Sequence, residues 1–222
     1  MRSLLQPGVL KSAGIAALIT SLLCFPRLAV WSDRQHPLWL LSLTLAWASF
    51  ILWSFVLGWR PQDAHRSILA VKARPALWIT ATFAGLAGAV VLHRYIDSVL
   101  QPLVPGDYPD THKAWLAMTL FTLGFDQLFL CFAPFAFFVR LSQNKRAAAS
   151  LTVLFGLALL CLKLHSLALQ ISPFFIAELI LWRTAVGLLT LCFYLKGGAL
   201  LAWWWVLVLQ LRHLITLPVP AL

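Results

Sequence analysis

Seven long apolar runs, separated by short stretches that carry nearly all the charge, set the pattern of this chain. They fall at about 12–30, 37–58, 76–93, 114–139, 148–171, 174–195 and 199–217. Each is close to the roughly 20 residues that a membrane-crossing helix needs. The pattern predicts an all-α polytopic membrane protein of about seven transmembrane helices, with residues 1–222 as a single bundle. The apolar sequence barely pauses between the fifth and sixth runs, but Pro173 after Ser172 breaks a helix there. The sixth and seventh runs meet at a tight basic turn, Lys196-Gly197-Gly198.

The loop charges alternate. One set of ends and loops holds Arg2, Lys11, Arg60, Arg66, Lys72, Arg74, Arg140, Lys145, Arg146 and Lys196. The opposite set holds Arg27, Arg34, Arg94, Lys113 and Arg212, diluted by Asp33, Asp97, Asp107 and Asp110. Basic residues collect on the cytoplasmic side, so the N-terminus is expected in the cytoplasm and the C-terminus outside. The longest outer loop, 94–113, has three prolines and a glycine and reads as an irregular cap or a partner contact.

Composition narrows the class. Hydrophobic residues make up 61% of the chain and charged ones 11%, against about 25% charged in soluble domains. The net charge of +10 would point to nucleic acid in a soluble protein. Here the loop bias accounts for it, and no nucleic-acid partner is expected. The expected surroundings are a lipid bilayer, that of a bacterial cytoplasmic membrane, and other membrane protein subunits. The first run resembles a signal sequence but ends in Phe25-Pro26-Arg27 without a small-x-small cleavage site, so it reads as a retained span. Cys24, Cys131, Cys161 and Cys192 lie in apolar runs and form no CxxC pair, which predicts free thiols and no metal.

Ionisable groups within the runs carry the candidate chemistry, because charge in the membrane costs at least about 2.5–3.5 kcal/mol. Asp126, Lys163, Glu178 and Arg183 are expected to form a buried ion-pair cluster linking the fourth, fifth and sixth helices. Asp126-Gln127 sits mid-span, and Pro134 is expected to kink that helix further on. His93, His165 and His213 lie in or beside spans and are candidate axial ligands for haem or a pigment, though nothing requires a cofactor. Trp39, Trp47 and Trp53 fall within an arc of about 120° on the second helix, where Trp47 is too deep for an interfacial belt. Ala81, Gly85 and Ala89 recur every four residues on the third helix, a face that admits another helix closely. These six residues are the candidate partner interface.

One stretch carries a resemblance. Residues 186–200, Val-Gly-Leu-Leu-Thr-Leu-Cys-Phe-Tyr-Leu-Lys-Gly-Gly-Ala-Leu, resemble the helix–turn–helix before the last motif of the CAAX-protease and bacteriocin-processing (CPBP) intramembrane proteases. Asp126-Gln127-Leu128-Phe129-Leu130-Cys131 falls where that family has EExxxR. The resemblance implies that Asp126 and Gln127 stand for the two glutamates and Cys131 for the arginine. The expected FxxxH falls near Phe155–Leu159, with no histidine; His165 lies six residues on. The final HxxxN/D falls near Leu207, with Gln210 or Leu211, again without histidine. In the family these groups activate a water, so the resemblance implies a pseudoenzyme.

Three readings follow. The first is a non-catalytic membrane subunit or scaffold that packs against a partner. The second is an active CPBP-type protease with Asp126, Gln127, Glu178 and His165 in a rearranged site. The third is a haem- or pigment-binding subunit.

Overall fold

A computed structural model describes residues 6–32, 36–58, 74–166 and 171–217, and every regular element among them is helical. Arg2, Asp33, Arg34, Trp59, Arg60, His65, Arg66 and Lys72 lie outside the described residues, as do 167–170 of the fifth run. The helices are α1 (Pro7–Trp31), α2 (Leu38–Gly58), α3 (Pro75–Val91), α4 (Ser98–Leu103), α5 (His112–Phe121), α6 (Ala133–Ser142), α7 (Lys145–Ser166) and α8 (Pro173–Gln210). Wider π-helical turns at Leu92–Asp97, Thr122–Asp126 and Leu128–Phe132 join some of them end to end.

Where the sequence predicts seven separate helices, six among the described residues are long and apolar enough to cross a membrane: Pro7–Trp31, Leu38–Gly58, Pro75–Leu103, His112–Ser142, Lys145–Ser166 and Pro173–Leu214. The sixth carries the last two runs, and it is bent back on itself. Gly198 has φ 76°, a conformation open to glycine and costly for other residues. Beyond it, Trp205 Nε1 donates to Thr190 Oγ1 at 3.1 Å. Fifteen residues of straight helix would hold those atoms about 22 Å apart, so the chain reverses at Gly198 into two arms, 173–197 and 199–210. The second arm, with its 3-10 turn Leu211–Leu214, spans about 24–26 Å. That is shorter than the roughly 30 Å hydrocarbon core.

The chain divides into two compact units, residues 1–66 with 116–148, and 67–115 with 149–222. In the first, α1 and α2 pack along their length. The buried side of α1 is Val9, Ala13, Ala17, Thr20, Cys24 and Leu28, mostly small residues at helical spacing. It takes up Leu45, Ser49, Trp53 and Val56 of α2. Lipid offers no hydrophobic drive between helices, so close approach of small residues supplies the attraction. Trp53 Nε1 donates to Thr20 Oγ1 at 3.0 Å. Pro134 has no N–H for the preceding turn, and the π-helical turn Leu128–Phe132 leads into it. Pro134 thus stands in the first turn of α6, where its missing N–H is tolerated.

In the second unit, α3 lies against the second arm of α8. Ala81, Gly85 and Ala89 are all buried. A Cβ at Gly85 would come within 2.7 Å of Val208 Cγ1, and one at Gly88 within 2.9 Å of Leu209 Cδ2. Trp204 Nε1 donates to Thr82 Oγ1 at 2.8 Å. Partners later along α3 sit later along the arm, so the two run parallel. Ile96, Phe175 and Leu179 form a second buried cluster with Leu160, Leu164 and Trp182.

Candidate functional site

The richest polar cluster lies where α3 and the second arm end, within the second unit. The π-helical turn Leu92–Asp97 brings His93 and Asp97 onto the end of α3. The 3-10 turn Leu211–Leu214 brings Arg212 and His213 against it. Asp97 is the pivot and is buried. Its Oδ2 accepts from Arg212 Nε at 3.0 Å, and its Oδ1 accepts from Tyr108 Oη at 3.1 Å. Arg212 Nη1 also donates to the Leu209 carbonyl at 3.0 Å. A carboxylate taken from water needs such charge-assisted bonds to remain ionised.

Tyr108 comes from the loop after α4 and closes over the cluster, its ring edge-on to His213 at 5.4 Å between centroids. Burial pushes its phenol above the ordinary value of 10.0, and the neighbouring Asp97 charge and its hydrogen bond push the same way. The preceding residue, Asp107, pairs with exposed Lys163 at the end of α7. One dipeptide thus fastens the loop to α7 on one side and to α3 and the second arm on the other. Trp115 Nε1 adds a bond to the Gln210 carbonyl at 3.0 Å.

Two histidines face this cluster. His213 is buried and lies within electrostatic reach of His93. Among the described residues its imidazole makes no hydrogen bond. Nδ1 of His93 is likewise buried and unpaired.

The candidates expected from sequence are distributed differently. His93 and His213 are brought together, whereas His165 is exposed near the end of α7. The expected buried ion-pair cluster is corrected for Lys163, which is exposed and paired with Asp107. Its long stem carries the ammonium past the apolar stretch to the loop. Asp126 is half-buried and accepts from Thr122 Oγ1 at 3.1 Å, a bond made inside its own π-helical turn. Arg183 passes over Gly156 of α7, where a Cβ would lie 3.8 Å from its Nε. Asp126 and Gln127 belong to the first unit, and Glu178, Arg183 and His165 to the second. Glu178 and His165 share no hydrogen bond.

The expected partner interface also divides. Ala81, Gly85 and Ala89 are covered by this chain's own second arm, so they are packing residues. Trp53 points into α1. Trp39 and Trp47 point outward, 67% and 66% exposed, in one ridge with Leu43 and Ile51. An arc of 120° is wide enough to put Trp53 on the packed side while its companions face out.

The sequence does not single out Asp97, Tyr108 or Arg212; Asp97 and Arg212 fall there among the outer-loop charges. The available signal was Asp97 four residues after His93, together with Arg212-His213 closing the last apolar run. Among the described residues no group of three or more His, Cys, Asp or Glu is arranged to hold a metal ion. No protein-family model, curated protein or solved structure matches the chain.

Proposed function

We propose that this chain is a non-catalytic integral membrane subunit that packs against another membrane protein along the outward ridge of α2. Trp47 carries the proposal. It lies near the middle of α2, about 14 Å from one end and about 16 Å from the other. Its indole is two-thirds exposed, and its N–H has no hydrogen-bond partner among the described residues. An unpaired donor in hydrocarbon is unfavourable, and tryptophan in lipid gathers at the interfaces rather than at mid-depth. A helix of a second protein supplies both the acceptor and the contact area that lipid does not.

The polar cluster supports the non-catalytic half of the reading. Both oxygens of Asp97 are occupied by donors of this chain, which leaves the carboxylate to clamp rather than to move protons. The CPBP resemblance fits a protease-like scaffold whose motif positions have lost their glutamates and histidines. The proposed orientation has a cytoplasmic N-terminus and an outer C-terminus in a bacterial cytoplasmic membrane. The alternating loop charges support it, as does the parallel course of α3 and the second arm, which suits two odd-numbered spans.

The test is a photo-reactive amino acid at position 47 in the native membrane, with the same group at position 83 on the exposed side of α3 as control. A single defined adduct from position 47 alone supports the reading. Equal lipid labelling from both positions overturns it, and cleavage of a membrane peptide by the purified chain overturns its non-catalytic half.

A further inference from the structure

We propose that the cluster at the end of α3 and the second arm binds a phosphate group, carried by a phospholipid headgroup or by a soluble phosphate ester. The inference is independent of the partner proposed for α2. It rests on the polar atoms left without partners there, which include one acceptor, Gln210 Oε1. Asp97, the cluster's carboxylate, accepts one hydrogen bond on each oxygen, from Arg212 and from Tyr108. Donors remain. Arg212 commits Nε and Nη1 and has no partner for Nη2 among the described residues, although the side chain is 17% exposed. Nδ1 of His93 is buried and unpaired. His213 is 5% exposed and its imidazole is equally unpartnered.

These three side chains come from the two helix ends that meet at Asp97, within electrostatic reach of one another. Buried polar groups are nearly always satisfied, so unpaired ones gathered in one place mark a missing partner. A partner with several acceptor oxygens and negative charge satisfies guanidinium and imidazole donors together. A metal ion is disfavoured by Arg212 beside the carboxylate that would have to ligate it. Asp97 is paired with Arg212 at 3.0 Å, so no unpaired carboxylate of the cluster repels an anion. Pro173–Leu214 ends at the cluster, while Pro75–Leu103 runs six residues beyond Asp97.

The experiment uses the full chain in mild detergent, read by native mass spectrometry. Three probes are compared: dioleoylphosphatidylglycerol, dioleoylglycerol with the same acyl chains but no phosphate, and glycerol phosphate. The expected result is retention of phosphatidylglycerol and not of dioleoylglycerol. His93→Phe should weaken that retention at least about tenfold, the scale of one lost bond to a charged group. Displacement by glycerol phosphate identifies a soluble ester as sufficient, and no displacement identifies the lipid; either supports the site. Equal retention of both lipids, or retention unchanged in His93→Phe, overturns it. Should His93→Phe fail to fold, Arg212→Lys keeps one charge and loses the second fork of donors. Unchanged retention in that variant overturns the proposal equally.

Discussion

Arg212 Nε and Asp97 Oδ2 meet at 3.0 Å although 115 positions separate them in sequence. The pair ties the end of α3 to the end of the second arm, and Tyr108 caps it. Asp97 is 5% exposed and Arg212 17%, so the pair stands largely out of water. Breaking such a pair strands a charge. Asp97→Ala should lower the unfolding free energy by about 3 kcal/mol, whereas the matched apolar pair Asp97→Leu with Arg212→Met should recover most of it. Thermal unfolding of the three proteins in one detergent checks this. Equal destabilisation by the single and double variants would contradict a clamp.

Tyr108 gives the clamp a pH signature. Its folded-state phenol is raised above the ordinary 10.0, first by burial and then by Asp97. A raised value means that the neutral form is favoured in the folded protein. Its stabilisation is therefore full below about pH 10 and is lost as pH rises through the folded value. In an absorbance titration near 295 nm, the phenolate signal that Tyr108→Phe removes should appear at higher pH than the ordinary tyrosine value of 10.0. Tyr108→Phe should also lose part of the alkaline sensitivity of unfolding.

The close approach at Gly85 predicts a contrast between two glycines. A side chain at Gly85 runs into Val208, whereas one at Gly14 of α1 meets nothing within 4 Å. Gly85→Val should cost about 1–3 kcal/mol by overpacking. Gly14→Ala should be neutral or stabilising by up to about 1 kcal/mol through helix propensity. Melting temperatures of the two variants measured side by side decide the matter.

The tryptophans of α2 predict a separation of stability from assembly. Trp53 is buried and bonded to Thr20, so Trp53→Ala should cost about 3–5 kcal/mol. Trp47→Ala removes an outward ring and should change stability by less than about 0.5 kcal/mol. It should nevertheless abolish co-purification of the proposed partner. A Trp47→Ala chain that keeps its partner would remove the ridge from the proposal.

The membrane class and most span positions were legible because hydropathy and loop charge act over whole segments. Six of the apolar runs could be placed within a few residues of helices on this basis. The small-residue face Ala81, Gly85 and Ala89 was legible as a face, but not its occupant, since lipid, partner and self-contact leave the same spacing. The ion-pair expectation failed at Lys163 because hydropathy ignores the reach of a four-carbon stem, which let it find Asp107 in the loop. The Asp97 cluster was hidden for another reason. Its members come from positions 93, 97, 108, 212 and 213, and only the parallel course of two distant helices brings them together. Local widening of a helix into π-helical turns, as at Leu92–Asp97, leaves no pattern in a single sequence.

The reversal at Gly198 has a consequence for how the protein is made. The arm beyond it covers the face of α3 that Gly85 opens, yet more than a hundred residues are synthesised between the two. Until then the Gly85 face of α3 lacks the residues that cover it, Trp205, Val208 and Leu209. Arrival of residues 204–213 closes the groove and completes the Asp97 clamp in the same step. The second unit therefore cannot be completed before its last residues are made, and the reversal at Gly198 is what returns them to α3.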